Sequence, residues 1–200
     1  MNNIQIQKQA MGTYQTNCYI VTINDKDLII DPGVDAFAWI KLHVKNPVAI
    51  LNTHGHFDHV WSNQEVKDYY NIPIYCPKDD VFMLKNDPFS QGTPKSSCDF
   101  EIEHDGVINL LNEEIKFHFF PGHTPGCSAI SIQNHLFTGD FIFQGSIGRV
   151  DFPFSNAQDM KNSINKVLSW DKDFMIYSGH GENTTLKNEI SSLKAWLNYL

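Results

Sequence analysis

The sequence predicts a layered mixed α/β protein that forms a single domain over residues 1–200. Hydrophobic residues make up 42% of the chain, which is enough to bury a substantial core. Short apolar runs of strand length fill the first fifty residues and return after residue 100. Segments with helical spacing interrupt these runs and also follow them. This order is typical of sheets covered by helices rather than of a helical bundle or a pure β-barrel.

Five strands and two helices are predicted before residue 100. The strands, predicted from apolar or alternating patterns, are Ile4–Ile6, Asn17–Ile23, Leu28–Ile30, Pro47–Leu51 and Ile72–Tyr75. Apolar residues at helical spacing predict helices at Asp35–Val44 and Val60–Tyr70. The stretch Asp87–Asp99 contains two prolines, one glycine and three serines, which predicts a loop or lid.

Six strands and two helices are predicted in the rest of the chain. The strands are Phe100–Glu103, Val107–Leu111, Ile115–Phe120, Ala129–Ile132, Leu136–Thr138 and Phe174–Tyr177. One helix is predicted at Asn156–Trp170, with Ser155 as its N-cap. The other is predicted at Thr184–Leu200. Its apolar stripe consists of Leu186, Ile190, Leu193 and Leu197.

Charge and composition exclude several kinds of partner. The chain has 15 basic and 23 acidic residues, whereas nucleic acid or an anionic membrane surface would favour a basic face. No apolar run approaches the roughly 20 residues of a membrane span, and the first residues lack the pattern of a secretory signal. The four cysteines are widely spaced, as expected of reduced thiols. We therefore expect a cytoplasmic protein that acts on a small-molecule substrate, with its oligomeric state left open.

The densest motif is Thr53-His54-Gly55-His56-Phe57-Asp58-His59, which follows a predicted strand. In a chain of this composition the pattern H-x-H-x-D-H arises by chance about once in 700 sequences. Side chains at these spacings in a loop can converge on metal ions. The alternatives are solvent-exposed loop histidines, or an N-cap formed by Asp58 for the helix that follows. A capping carboxylate does not require three histidines around it, so the motif favours a metal site.

Three further motifs place a histidine or a carboxylate at the end of a predicted strand. The segments PGHTPG, LFTGD and IYSGHG contain His123, Asp140 and His180. Each motif alone is more often structural than functional. Together with His54–His59 they supply enough nitrogen and oxygen ligands for two metal ions.

The order H-x-H-x-D-H, G-H-T-P-G, T-G-D and G-H-G over most of the chain resembles the metallo-β-lactamase superfamily. Thr16–Tyr19 and Ile30–Gly33 resemble the first hairpin and the D-P-G turn of that superfamily. Gly145–Arg149 with Asp151–Pro153 resembles compact glyoxalase II-like hydrolases, and the two glycines of this segment are expected to serve tight turns. The resemblance implies a four-layer αββα sandwich with metals held in loops at one edge of the sheets.

The resemblance also implies a site for two metal ions. It assigns His54, His56 and His123 to the first metal, Asp58, His59 and His180 to the second, and Asp140 to both. Imidazole and carboxylate donors without thiolate suit Zn²⁺, Fe²⁺ or Mn²⁺. We expect two divalent ions, with Zn²⁺ preferred.

The implied reaction is the hydrolysis of a thioester of the hydroxyacylglutathione type. A metal-bridging hydroxide, oriented by Asp58 as the catalytic residue, attacks the acyl carbon, and the thiolate leaves with little need for protonation. Arg149, the only arginine in the chain, is predicted to bind an anionic group of the substrate. An ion pair of Arg149 with Asp151 or Asp31 is an equally open alternative.

Other activities fit the same motifs. A persulfide dioxygenase would hold one iron with His54, His123 and Asp140 and would consume oxygen, whereas a hydrolase would use two metals. A lactonase would share the hydrolytic chemistry, and a non-catalytic metal-binding module would be expected to have lost ligands. Only 20 residues follow His180, so we expect no C-terminal helical domain of the glyoxalase II type. The sequence therefore leaves the thiol of the substrate open.

Overall fold

The computed structural model describes residues 3–200, so Met1 and Asn2 lie outside it. The chain divides into two compact units, the first ending at Ile102 and the second spanning Glu103–Leu200. Each unit contains one six-stranded sheet and its own helices, which confirms the prediction of a mixed α/β protein. The prediction of a single domain over residues 1–200 stays a prediction.

Unit 1 is built on a sheet whose strands lie side by side in chain order. The strands are β1 (Ile4–Met11), β2 (Thr16–Ile23), β3 (Lys26–Ile30), β4 (Pro47–Leu51), β5 (Ile74–Pro77) and β6 (Phe100–Ile102). The helices are α1 (Ala36–His43), α2 (Phe57–Val60), α3 (Asn63–Tyr70) and α4 (Val81–Asn86), with a 3₁₀ turn at Lys78–Asp80. Strands β1, β2 and β3 pair antiparallel, whereas β3, β4, β5 and β6 pair parallel.

The parallel strands of unit 1 determine where its polar residues emerge. Ile29, Ile50 and Ile74 are paired across β3, β4 and β5, and all three are buried in one cluster with side chains of α1, α3 and α4. Parallel neighbours end at the same edge of a sheet. Asp31, directly after β3, and His54, shortly after β4, therefore leave the sheet at a common edge.

Unit 2 is built on a six-stranded sheet of β7 (Val107–Leu110), β8 (Glu113–Phe119), β9 (Ser128–Ile132), β10 (His135–Gly139), β13 (Met175–Ser178) and β14 (Thr184–Thr185). The order of the strands across the sheet is β14-β13-β10-β9-β8-β7, and only β10 and β13 pair parallel. A separate hairpin consists of β11 (Ile142–Phe143) and β12 (Ser146–Ile147). Helices α5 (Ala157–Leu168) and α6 (Leu186–Trp196) bury Ile164 and Leu193 against Leu136 and Ile176 of the sheet.

Several local features differ from the sequence-based expectation. The N-cap of α5 is Asn156, whose Oδ1 accepts from the backbone N–H groups of Gln158 and Asp159, so the prediction of Ser155 is wrong. The helix expected at Val60–Tyr70 begins only at Asn63, as α3, and neither α2 nor α4 was predicted. Ile190 of α6 is 38% exposed and does not belong to the buried stripe predicted for it.

The described residues also bear on the membrane and redox predictions. Within residues 3–200, no helix is long and apolar enough to cross a membrane. All four cysteines lie in this range and are thiols rather than disulfides, as predicted. Burial raises the pKa of the Cys18 and Cys76 thiols well above their usual range, so both remain protonated and act as core residues.

Candidate metal centre

The H-x-H-x-D-H motif forms a buried cluster of four predicted ligands in unit 1. The ring centroid of His54 lies 5.0 Å from that of His56 and 4.2 Å from that of His59, and all three rings are buried. Asp58 Oδ2 lies 3.6 Å from His59 Nε2 and accepts a hydrogen bond from Thr16 Oγ1 at 2.7 Å. Helix α2 begins one residue before Asp58, so the alternative in which Asp58 is its N-cap is wrong.

A buried carboxylate, Asp31, holds two of these histidines in place. Asp31 Oδ2 accepts a hydrogen bond from Thr53 Oγ1 at 2.6 Å, and Asp31 Oδ1 accepts one from Thr53 N at 2.8 Å. Because Thr53 donates its only hydroxyl hydrogen to Asp31, its oxygen accepts the hydrogen of His54 Nδ1, 3.0 Å away. His59 Nδ1 donates to Asp31 Oδ2 at 3.1 Å. Both imidazoles therefore carry their lone pair on Nε2, where a metal can bind it.

Asp31 is a positioning residue rather than a further ligand. Ligand atoms of Asp31, His54 and His59 all lie within 4.8 Å of one another, so their placement alone would allow a metal. The two oxygens of Asp31, however, already accept three hydrogen bonds from Thr53 and His59. This role was not predicted, because Asp31 was expected only as part of a turn or as a partner for Arg149. The feature of the sequence that could have indicated this positioning role is an acidic residue at the end of β3, a strand that pairs parallel with β4.

In unit 2, Asp140 lies between two predicted histidine ligands. Asp140 Oδ2 is 3.3 Å from His123 Nε2 and 3.4 Å from His180 Nε2. Asp140 and His180 follow the parallel strands β10 and β13, so both emerge at the same edge of the sheet. His123 Nδ1 donates to the carbonyl oxygen of Arg149 at 2.8 Å, which keeps the Nε2 lone pair directed toward Asp140. One carboxylate oxygen between two imidazole nitrogens is the arrangement expected of a bridging ligand.

A glycine allows the segment before Arg149 to approach these ligands. A Cβ at Gly148 would lie 1.8 Å from the backbone oxygen of Asp140 and 3.1 Å from Cγ of His123, so no side chain fits there. The expectation that Gly148 serves a tight turn is therefore wrong, because the reason for this glycine is close packing. For Gly145, which has a φ of 72° in the turn between β11 and β12, the expectation is confirmed.

Arg149 is exposed and forms a bidentate ion pair with Asp151. Arg149 Nε and Nη2 donate to the two carboxylate oxygens at 2.8 and 2.7 Å. These hydrogen bonds raise the pKa of Arg149 and lower the pKa of Asp151. The structure thus shows the ion-pair alternative that the sequence left open. Binding of a substrate anion by Arg149 stays a prediction.

The donor atoms of both units fit divalent metal ions. Each unit brings its own predicted ligands together, four in unit 1 and three in unit 2. These ligands are imidazoles and carboxylates, and no thiolate is among them, a donor set that suits Zn²⁺, Fe²⁺ and Mn²⁺.

Comparison with known proteins defines the class. A sequence profile of the metallo-beta-lactamase superfamily matches residues 11–180, and the chain belongs to this superfamily. Hydroxyacylglutathione hydrolase GloC of Haemophilus influenzae is 33% identical over 93% of this chain and 95% of its own. The crystal structure of BLEG-1 B3 metallo-beta-lactamase is 31% identical, with a TM-score of 0.86 over 94% of this chain and 97% of its own. That of TTHA1623 in a di-iron-bound form is 27% identical, with a TM-score of 0.81 over 93% and 98%.

These similarities confirm the predicted superfamily and its fold class. The chain is a metallo-hydrolase of this superfamily that binds divalent metal ions. One of these proteins is named a hydroxyacylglutathione hydrolase and another a B3 metallo-beta-lactamase, so the comparisons leave the substrate of this chain to be proposed.

Substitution of Asp31 by asparagine is expected to weaken metal binding. Asparagine keeps the size of the side chain and tolerates the positive φ of 50° at this position. Its amide nitrogen cannot accept the hydrogen bonds that fix Thr53 and His59, so metal affinity should fall by roughly 10–100-fold. Competition with a chromogenic chelator measures this change.

The matched control is Asp27→Asn. Asp27 is also buried in unit 1 and accepts hydrogen bonds from Thr22 Oγ1 and from the backbone N–H groups of Lys45 and Asn46. Its loss should lower the free energy of unfolding and leave metal affinity unchanged. Equal metal affinity in Asp31→Asn and the unmodified protein would contradict the positioning role.

Proposed function

We propose that this metallo-hydrolase cleaves thioesters of the hydroxyacylglutathione type with two bound divalent ions, preferably Zn²⁺. Asp140 Oδ2 lies between Nε2 of His123 and Nε2 of His180. This placement is the observation that carries the proposal of a metal pair. The proposed ligands are His54, His56 and His123 for one ion, Asp58, His59 and His180 for the other, and Asp140 for both.

The side chains of the site have separate tasks in this reaction. Two ions bound there would lower the pKa of a water molecule to about 7 and polarise the acyl oxygen. Asp58, fixed by the hydrogen bond from Thr16, orients the attacking water toward the acyl carbon. A thiolate is a good leaving group, so the site needs no strong general acid.

The thioester assignment is supported by the 33% identity to hydroxyacylglutathione hydrolase GloC over nearly the full length of both chains. The ion pair of Arg149 uses Nε and Nη2, and Nη1 supplies further N–H donors for a carboxylate of the thiol. We propose that the substrate is a small molecule and that the enzyme acts in the cytoplasm. The similarity to a di-iron protein supports iron as the alternative metal.

Hydrolysis of S-lactoylglutathione, before and after metal removal, tests the proposal. The purified protein should lose at least about 100-fold of its kcat/KM when a chelator removes the metals and regain it with Zn²⁺ or Fe²⁺. No turnover by a protein shown to hold two metals per chain would overturn the thioester proposal. Oxygen consumption with glutathione persulfide, or cleavage of a β-lactam or a lactone, would then identify the reaction in its place.

A further inference from the structure

Phenylalanine rings lie edge-on against three of the proposed metal-binding imidazoles. In unit 2, the ring centroid of Phe152 lies 6.2 Å from that of His123, and the ring of Phe143 lies 5.8 Å from that of His180. The planes in these two pairs are inclined by 62° and 77°. In unit 1, Phe89 lies 5.0 Å from His56 with an angle of 77°. The ligand imidazoles of each unit thus have large apolar neighbours.

The two rings of unit 2 are not part of its core. Among the described residues, the buried cluster of unit 2 and the side chains packed on it include neither Phe143 nor Phe152. Phe152 is 38% exposed, and Phe154, two residues further, is 51% exposed with a φ of 70°. A bulky residue adopts this left-handed conformation only where the surrounding structure imposes it, and such positions concentrate at functional sites.

The ring of Phe152 is held in a defined position. The guanidinium carbon of Arg149 lies 4.3 Å from the Phe152 ring centroid, and the ion pair with Asp151 fixes that guanidinium. The backbone of Arg149 also accepts the hydrogen bond from His123 Nδ1. One short segment therefore positions a metal ligand and an apolar ring together, which is the preorganisation that a binding surface requires.

We propose that Phe143 and Phe152 bind the acyl group of the substrate, and that the enzyme prefers thioesters whose acyl group is aromatic or large and apolar. This inference rests on the proposed function. The acyl group is the short part of a thioester and remains near the metal ligands while its carbonyl reacts, whereas a thiol such as glutathione extends away from them. Two phenyl rings gain more contact with a phenyl group than with a methyl group.

A pair of substrates that differ only in this group tests the inference. S-Mandeloylglutathione carries a phenyl ring where S-lactoylglutathione carries a methyl group. The unmodified enzyme should hydrolyse the mandeloyl thioester with a kcat/KM roughly tenfold higher. Phe143→Ala and Phe152→Ala should each lower kcat/KM for the mandeloyl thioester by roughly tenfold and for the lactoyl thioester by less than about threefold. Binding of the products mandelate and lactate to the metal-loaded protein, measured by calorimetry, should show the same loss of preference.

Controls separate this inference from effects on folding and from the proposed function. Phe100→Leu changes an exposed phenylalanine that stacks on Tyr75 in unit 1, and it should leave the ratio of the two kcat/KM values unchanged. Phe143→Leu and Phe152→Leu keep an apolar side chain, fold more readily than the alanine variants and should give intermediate ratios. Equal efficiency on both thioesters, or equal losses on both in the alanine variants, overturns the acyl preference alone. Hydrolysis of neither thioester overturns the proposed function and this inference with it.

Discussion

Asp140→Asn is expected to lower kcat/KM for S-lactoylglutathione by about a thousandfold or more. The carboxylate of Asp140 has one oxygen within 3.4 Å of two imidazole nitrogens, and two metal ions held there would need its negative charge. Asparagine has nearly the same shape, but it is neutral and one of its two terminal atoms is a nitrogen that cannot bind a cation. Metal analysis of the purified variant should therefore show a decrease from two ions per chain to one or fewer.

The same substitution at an exposed position controls for nonspecific effects. Asp171→Asn, on the surface of unit 2, should keep both the activity and the metal content. The metal-free form of Asp140→Asn should melt at a temperature close to that of the metal-free unmodified protein, because the change removes a charge and leaves packing intact. An Asp140→Asn variant that retains two metals and full activity would exclude the bridging role.

Much of the fold could be predicted because its signals are local. The apolar runs of β3, β4, β9 and β10 are buried on both faces, and such strands are recognisable from the residue types alone. Helix α4 has only six residues, too few for a periodic pattern to stand out. At the start of α5, Ser155 and Asn156 are both good capping residues, and the structure uses Asn156. The hydroxyl of Ser155 instead donates to the carbonyl oxygen of His123 at 2.8 Å.

In the candidate site, too, residues in local motifs could be predicted, whereas roles that depend on residues far apart in the sequence could not. The predicted ligands follow strands and were grouped by the resemblance of their motifs to the superfamily, and in unit 2 the parallel pairing of β10 and β13 brings Asp140 and His180 to one edge of the sheet. The role of Asp31 depends on partners 22 and 28 residues away along the chain, which no local pattern reveals. The segment around Gly148 looks like a turn from its composition, although the contact that requires glycine is with the backbone of Asp140. Interactions of this kind depend on contacts between residues that lie far apart in the sequence.

Gly148→Ala should reduce both stability and metal binding. The added Cβ would lie 1.8 Å from the backbone oxygen of Asp140 and 2.9 Å from its carbonyl carbon, far inside van der Waals contact. Backbone atoms cannot rotate away as a side chain can, so the strand end that carries Asp140 must move. We expect a loss of about 3 kcal/mol in the free energy of unfolding of the metal-free protein, measured by urea denaturation. Metal affinity should fall by more than tenfold, because His123 Cγ lies 3.1 Å from the same Cβ position.

Gly145→Ala separates the steric clash from the conformational cost of replacing a glycine. Gly145 has a φ of 72°, and apart from its chain neighbours no heavy atom lies within 4 Å of the position that a Cβ would occupy, so alanine there costs only the left-handed backbone, about 1–2 kcal/mol. Metal affinity should not change in this variant. Gly148→Ala and Gly145→Ala could instead show the same free energy of unfolding and the same metal affinity. That result would mean that close packing of Gly148 does not position Asp140. If only Gly148→Ala lost metal affinity, the geometry of Asp140 and His123 would depend on a residue that touches neither metal nor substrate.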